Sequence, residues 1–303
     1  MPWDLIKLNN GTSIPSIAFG TGTLGSGQQS TDKVDQAISV GFSHIDTAQL
    51  YRNEYEAGIA IRESGVARED LYITTKYSGL NGLDIETSIH NSLGNLGVDY
   101  VDLYLIHNPD LAVPDISTTW SKMEKVQSDG LAKSIGVSNF NVPQLQTLLN
   151  SAKIKPAANQ ILFHPYVLGQ QAPVVEFGSL YGIVSEAYSV LTPLTHQTGG
   201  PVDKPLKAIA SRLNTDPEQV LLAWAKFKGV VVVTTSTRKE HLEGYLAAGD
   251  LKLTNEDIAA IDAAGILGAR RITARSYFRR AAIAALIGAT VLGVCSYSGV
   301  NVV

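Results

Sequence analysis

Short apolar runs alternate with amphipathic stretches about eight times along this 303-residue chain, and that rhythm limits the fold more than any other feature. The apolar runs are Ile14–Gly20, Phe42–Asp46, Leu71–Lys76, Val101–His107, Ala132–Ser138, Ala158–Leu162, Ile183–Tyr188 and Val230–Thr234. Helical patterns lie between and after them near 31–40, 54–65, 84–96, 116–129, 142–151, 172–181, 203–213 and 217–228. Asp216-Pro217 opens the last of these in cap-then-proline order, and Thr254-Asn255-Glu256 opens a further helix. Eight strand–helix repeats over roughly 260 residues predict a (β/α)₈ barrel. Ahead of it, Ile6–Leu8 and Ser13–Ile17 flank Asn10-Gly11, the turn chemistry of a hairpin.

A doubly wound sheet competes with the barrel on one segment. Gly20-Thr21-Gly22-Thr23-Leu24-Gly25 matches G-x-G-x-x-G, and Asp46 closes the next strand. That fingerprint needs a helix opening inside the glycines. Here Ser26-Gly27-Gln28-Gln29-Ser30 continues the loop, so the match is weak.

Composition narrows the class. Hydrophobic residues make up 45% and charged residues 17%, which fits a globular chain. One cysteine, Cys295, excludes a disulfide scaffold and a cysteine metal site, and fits a reducing compartment. A net charge of −4 gives no case for nucleic-acid binding. The N-terminus lacks a basic-then-apolar leader pattern. The C-terminus differs from the body: Arg270, Arg271, Arg275, Arg279 and Arg280 follow the last acid, Asp262. Residues 281–303 then carry no charge. Such a segment is long enough to cross a bilayer, and its one-sided arginines predict a cytoplasmic flank. The expected organisation is a barrel over 1–267, an arginine-rich linker over 268–280 and a tail anchor over 281–303. The expected location is a membrane face turned to the cytosol. An apolar helix docked on the protein and a disordered tail are the other readings of 281–303.

In a barrel the chemistry gathers where strands end. Those ends supply Asp46 with Tyr51 five residues on, Lys76, His107, Ser138-Asn139, Asn159-Gln160 and Tyr188. Tyrosine is too weak an acid for efficient proton transfer near neutrality. A neighbouring ammonium favours the phenolate and lowers the pKa. A carboxylate keeps that lysine charged and in place, and a histidine hydrogen-bonds a substrate oxygen. Asp46, Tyr51, Lys76 and His107 together suit an oxygen gaining negative charge, as carbonyl reduction by hydride requires. The six histidines show no H-x-x-x-H or H-x-H spacing, and no G-x-S-x-G elbow is present.

On these segments the chain resembles the aldo-keto reductase family. The matching pieces are Gly41–Ala48, Tyr51, Ile73–Lys76, Leu96-Gly97, Leu103–His107, Ile135–Phe140, Asn159-Gln160 and His164-Pro165. The resemblance covers about residues 5–265. It implies an NADPH-dependent oxidoreductase with Tyr51 as proton donor, tuned by Asp46 and Lys76, and with His107 orienting the carbonyl. It implies that Ser138, Asn139 and Gln160 hold the carboxamide, that Tyr188 stacks on the nicotinamide, and that Thr21, Gly22 and Asp46 lie beside the cofactor. At the adenosine end Thr235 replaces a lysine common in the family, and His241 stands where an arginine is expected. Ser236, Thr237, Arg238 and Lys239 remain to bind the 2′-phosphate with His241. This variant resembles the branch of conjugated polyketone reductases, which favours a dicarbonyl or keto-lactone. Leu162 stands where an acid is common. Leu24, Tyr77, Asn108, Pro109 and Leu111 are candidate pocket lining, or ordinary loop residues.

The substrate expected is a small carbonyl compound, with NADPH/NADP+ as cofactor and a monomeric barrel. The alternatives are a cyclic imine on the same site, or a nicotinamide-sensing regulatory subunit of a membrane protein.

Overall fold

A computed structural model describes residues 3–274. A hairpin of β1 (Leu5–Lys7) and β2 (Ser13–Pro15) precedes eight parallel strands. These are β3 (Ile17–Gly20), β4 (His44–Asp46), β5 (Tyr72–Tyr77), β6 (Val101–Ile106), β7 (Ala132–Ser138), β8 (Ala158–Leu162), β9 (Val184–Tyr188) and β10 (Val231–Thr234). They close in chain order, with β10 pairing β3. The closed barrel excludes the doubly wound alternative. The first helix, Gln28–Ser39, starts beyond the glycines of the Gly20–Gly25 loop.

Strand alternation sorts the side chains into two cores. Outward residues such as Phe19, Ile45, Ile73, Tyr104, Val137, Ile161 and Val232 pack with the surrounding helices. Inward residues Tyr72, Leu103, Leu105, Ala158 and Val231 join Leu8 and Ile14 of the hairpin. The hairpin thus plugs the N-terminal end of the barrel. Asn9 Nδ2 donates to Pro156 O (2.8 Å), and Asn10 Nδ2 donates to Ser134 Oγ (2.8 Å). Gly11 supplies the positive φ of the turn, 88°.

The helices follow the expected order. Pro217–Phe227 opens as its sequence predicts, with Pro217 in the first turn and Asp216 N donating to Gln219 Oε1 (3.1 Å). Lys239–Ala247 is a helix that the periodicity did not announce, because only Leu242 and Tyr245 of its nine residues are buried. The final helix runs from 255 to 274, the last described residue, and crosses the boundary drawn at 267/268 without a break. Gly265 and Gly268 are contact points in it: a β-carbon on either would collide with Pro165 or Tyr166. The proposed anchor at 281–303 and residues 275–280 of the linker lie outside the described residues. Among the described residues, no helix is long and apolar enough to cross a membrane.

Candidate active site

The inward residues at the C-terminal strand ends converge on one buried ion pair. Lys76 Nζ lies 2.7 Å from Asp46 Oδ1, with both side chains almost fully buried. The ammonium also donates to Thr47 O (2.9 Å). Gln160 Nε2, from β8 across the barrel, donates to Asp46 Oδ2 (2.8 Å). Asp46 is therefore held at both oxygens, and Lys76 at two of its three hydrogens.

Tyr51 reaches this pair from a 3₁₀ turn, Gln49–Tyr51, that follows β4. Lys76 Nζ stands 5.2 Å from the centre of its ring. His107, just beyond β6, meets the same ring edge-on with centroids 5.5 Å apart. Its N–H still donates to Tyr77 O (3.0 Å), so the barrel ladder fixes its position. Four residues from strand ends and the loop after one of them, separated by up to 61 positions, are thus gathered at one mouth.

The electrostatics correct one expectation. Lys76 does act to lower the Tyr51 pKa, but burial, the largest influence, and Asp46 act the other way, and the net shift is upward. Tyr51 therefore stays protonated in the resting site. Burial alone would lower the pKa of Lys76, and Asp46 and Tyr51 reverse this, so the ammonium is held charged. Burial, aided by Lys76, brings the His107 pKa down to about 4, leaving the imidazole neutral at physiological pH.

A second cluster flanks the pair. Asn139 adopts a left-handed backbone, φ 64°, which asparagine tolerates better than most residues. Its Nδ2 donates to His107 O and to Ser138 Oγ (both 3.1 Å), and its Oδ1 accepts from Tyr188 OH (2.9 Å). Ser138 Oγ donates to Gln160 O (2.8 Å). Ser138, Asn139, Gln160 and the half-buried Tyr188 ring thus form one connected polar wall beside the ion pair.

The first strand loop lies on the other side. Gly22 faces the Tyr51 ring. Thr21 is fully buried, and its hydroxyl lies within hydrogen-bond distance of Thr47 Oγ1 (2.9 Å) and Asn53 Oδ1 (3.1 Å). Asn53 in turn donates to Thr21 O and Gly25 O (both 2.9 Å), tying the loop to the turn that carries Tyr51. Asn53 was not singled out in the sequence; its place directly after Tyr51-Arg52 was the available signal. Leu24 and Leu111 pack partly buried against the core. Tyr77 donates its hydroxyl to Leu83 O (3.1 Å), and Asn108 accepts from Asp110 N (3.0 Å) to cap the next turn.

Ser236, Thr237, Arg238 and Lys239 follow β10, with the last three exposed. Ser236 Oγ accepts from Arg238 N (3.1 Å) and stands 3.4 Å from His241 Nδ1. Arg238 and His241 line a pocket of about 350 Å³ shared with Asp216, Glu218 and Tyr245. The Thr235 hydroxyl, one residue before Ser236, is buried without a hydrogen-bond partner among the described residues.

Comparison with known proteins settles the family. The aldo/keto reductase family profile matches residues 16–266. The chain belongs to the aldo/keto reductase family. It is 39% identical over 270 residues to an NAD/NADP-dependent indole-3-acetaldehyde reductase of Schizosaccharomyces pombe, covering 85% of this chain and 93% of the relative. It is 38% identical over 263 residues to a glyoxal reductase of Bacillus subtilis, covering 86% and 92%. Among solved structures, an aldo-keto reductase of Bombyx mori in complex with NADP matches with a TM-score of 0.79 at 34% identity, covering 86% of this chain and 92% of that one.

Proposed function

We propose that this reductase transfers a hydride from NADPH to the carbonyl carbon of an aldehyde or ketone, with Tyr51 giving its proton to the oxygen. The observation that carries the reading is the buried Lys76 ammonium, fixed by Asp46 at 2.7 Å and set 5.2 Å from the Tyr51 ring centre. As negative charge grows on the substrate oxygen, the Tyr51 proton moves to it. The phenolate left behind faces a cation that is already in place, so little reorganisation is needed.

His107 orients the oxygen. The Ser78 hydroxyl lies 2.9 Å from His107 Nδ1 and 3.3 Å from Lys76 O. Assigning the hydroxyl hydrogen to the shorter contact makes Nδ1 the acceptor and leaves Nε2–H as a donor for a carbonyl oxygen. A neutral donor of this kind suits a carbonyl better than a protonated cyclic imine, which brings its own positive charge.

The residues present fit a nicotinamide dinucleotide. Ser138, Asn139 and Gln160 offer amide and hydroxyl groups for a carboxamide, and Tyr188 offers a ring face. At the other end the unpartnered Thr235 hydroxyl, Ser236, Thr237 and the cations Arg238 and Lys239 suit a phosphorylated ribose. When bound, the cofactor supplies the hydride. Thr21 serves this site by shaping the loop, because its hydroxyl is spent on Thr47 and Asn53. The names of the relatives favour small aldehydes and dicarbonyls as substrates, with Leu24, Tyr77 and Asn108 around the mouth. A tail anchor at 281–303 would hold the barrel at a membrane.

The test is NADPH oxidation by the purified chain against aldehydes, diketones, keto-lactones and cyclic imines, with Tyr51→Phe alongside. A carbonyl turnover that falls about 10²–10⁴-fold in Tyr51→Phe is expected. Equal turnover in both proteins removes Tyr51 as the donor. Tight cofactor binding without turnover on any substrate favours a nicotinamide-sensing role.

A further inference from the structure

The barrel interior holds an acid that this chemistry leaves unused. Glu186 lies on β9 two residues before Tyr188, on the inward face, and is fully buried. Its register neighbours are Gln160 on β8 and Val231 on β10. Neither carboxyl oxygen makes a well-formed hydrogen bond among the described residues, although the Gln160 side-chain amide approaches closely enough to act on its charge. The titratable and charged groups that face it are Asp46 from β4 and Tyr72 and Lys76 from β5.

Charge decides its state. Lys76 is the cation of this cluster, and Asp46 already matches it at 2.7 Å. A second carboxylate would be an uncompensated charge inside the barrel, which is far costlier than a neutral carboxyl. A neutral Glu186 also gains a function that a carboxylate lacks, since it can donate a hydrogen. The neighbour able to use that donor is the Gln160 side-chain amide, whose Nε2 already holds Asp46 (2.8 Å).

We propose that Glu186 is a protonated positioning residue that holds the Gln160 amide, and through it Asp46, in line with Lys76 and Tyr51, and that losing its proton disables the site. The proposal rests on the Tyr51 reading above. Burial, with Asp46 adding to it, pushes the carboxyl up to about 8. Below that pH the proton stays on. Above it, ionised Glu186 competes with Asp46 for the Gln160 N–H and for Lys76, and the pair that supports Tyr51 loosens.

The full-length chain tests this with three readouts. In wild type, kcat for carbonyl reduction should fall about tenfold per pH unit above about pH 8. Glu186→Gln keeps a hydrogen-bonding head that cannot ionise, and should retain neutral activity while losing that alkaline fall. Glu186→Leu should be slow at every pH. Superimposable profiles of wild type and Glu186→Gln overturn the proposal. Two further measurements need no turnover. The infrared difference between wild type and Glu186→Gln at about pH 6.5 should show the carbonyl band of a protonated carboxylic acid, gone by about pH 9.5. Carbon-13 labelling of glutamate in the wild-type chain should show one carboxyl titrating near pH 8, a result that stands even if the variants misfold. Absence of both signals overturns the proposal whatever the activity. Their presence in a chain that reduces no carbonyl retires the Tyr51 reading and keeps the protonated Glu186.

Discussion

Gly22 abuts the Tyr51 ring: a β-carbon there would lie 3.2 Å from Tyr51 Cζ and 3.3 Å from Cε2. Any side chain at 22 must therefore move Tyr51 or move itself. Tyr51 stands on a short 3₁₀ turn and its ring gives way more easily than a strand would. Gly22→Val should lower kcat by about 10–100-fold, because a misplacement of about 1 Å is enough for losses of that size. Gly22 is exposed, so the melting temperature should change little. Unchanged kcat in a folded Gly22→Val protein would show that the ring is not held from this side.

The Lys76–Asp46 pair should be dispensable for folding as a pair and indispensable singly. Lys76→Met leaves Asp46 buried without its cation and should cost about 3–5 kcal/mol of stability. Adding Asp46→Asn removes the orphaned charge, so the double variant should regain much of that loss in urea unfolding. Activity should not return in the double variant, since nothing then faces the Tyr51 phenolate. Additive stability losses in the double variant would mean that the two residues act on the fold independently.

Much of this site is legible from strand parity alone. Asp46, Lys76, Ser138 and Tyr188 lie at the ends of their runs on the inward phase, Gln160 shares that phase in the middle of its run, and the barrel brings these positions together. Tyr51 lies in the loop after its strand, so its placement came from spacing and from family resemblance; His107 was read as closing its run, and the strand ends one residue earlier, at Ile106. Three features were hidden for physical reasons. Glu186 shares the inward phase of Tyr188, yet a lone acid inside an apolar run gives no sign of its proton. The Lys239–Ala247 helix buries too few residues to show a period. The change of charge after Asp262 resembles a domain edge, whereas Gly265 and Gly268 pack against Pro165 and Tyr166 inside a continuous helix. The direction of the Tyr51 shift was also beyond sequence, because it depends on burial outweighing a known neighbour.

Acid should weaken the fold through its buried histidines. Burial brings His44, His107 and His164 from 6.5 down to about 4. Between those values the unfolded chain binds protons that the folded chain refuses. Stability is therefore full above about pH 6.5 and drains as the pH falls toward 4. His44 is the clearest case: it is fully buried, with Nε2 2.9 Å from Thr74 Oγ1. Urea midpoints measured from about pH 7.5 to 4.5 should fall in wild type and fall less steeply in His44→Gln. Parallel curves would assign the acid limb to other groups.

Arg238 should select the phosphorylated cofactor. It is exposed after β10, its closest acid being Glu240, 3.8 Å away, a weak screened pair that a phosphate can displace. A charge-assisted hydrogen bond to a phosphate contributes about 1.5–3 kcal/mol, or roughly 10–100-fold in affinity. Arg238→Ala should raise the Kd for NADPH by about that factor, measured by quenching of tryptophan fluorescence, and leave the Kd for NADH nearly unchanged. The same substitution should reduce the salt dependence of NADPH binding, because one screened contact is gone. Equal weakening toward both cofactors would place Arg238 in the architecture of the loop and leave the phosphate to Lys239 and His241.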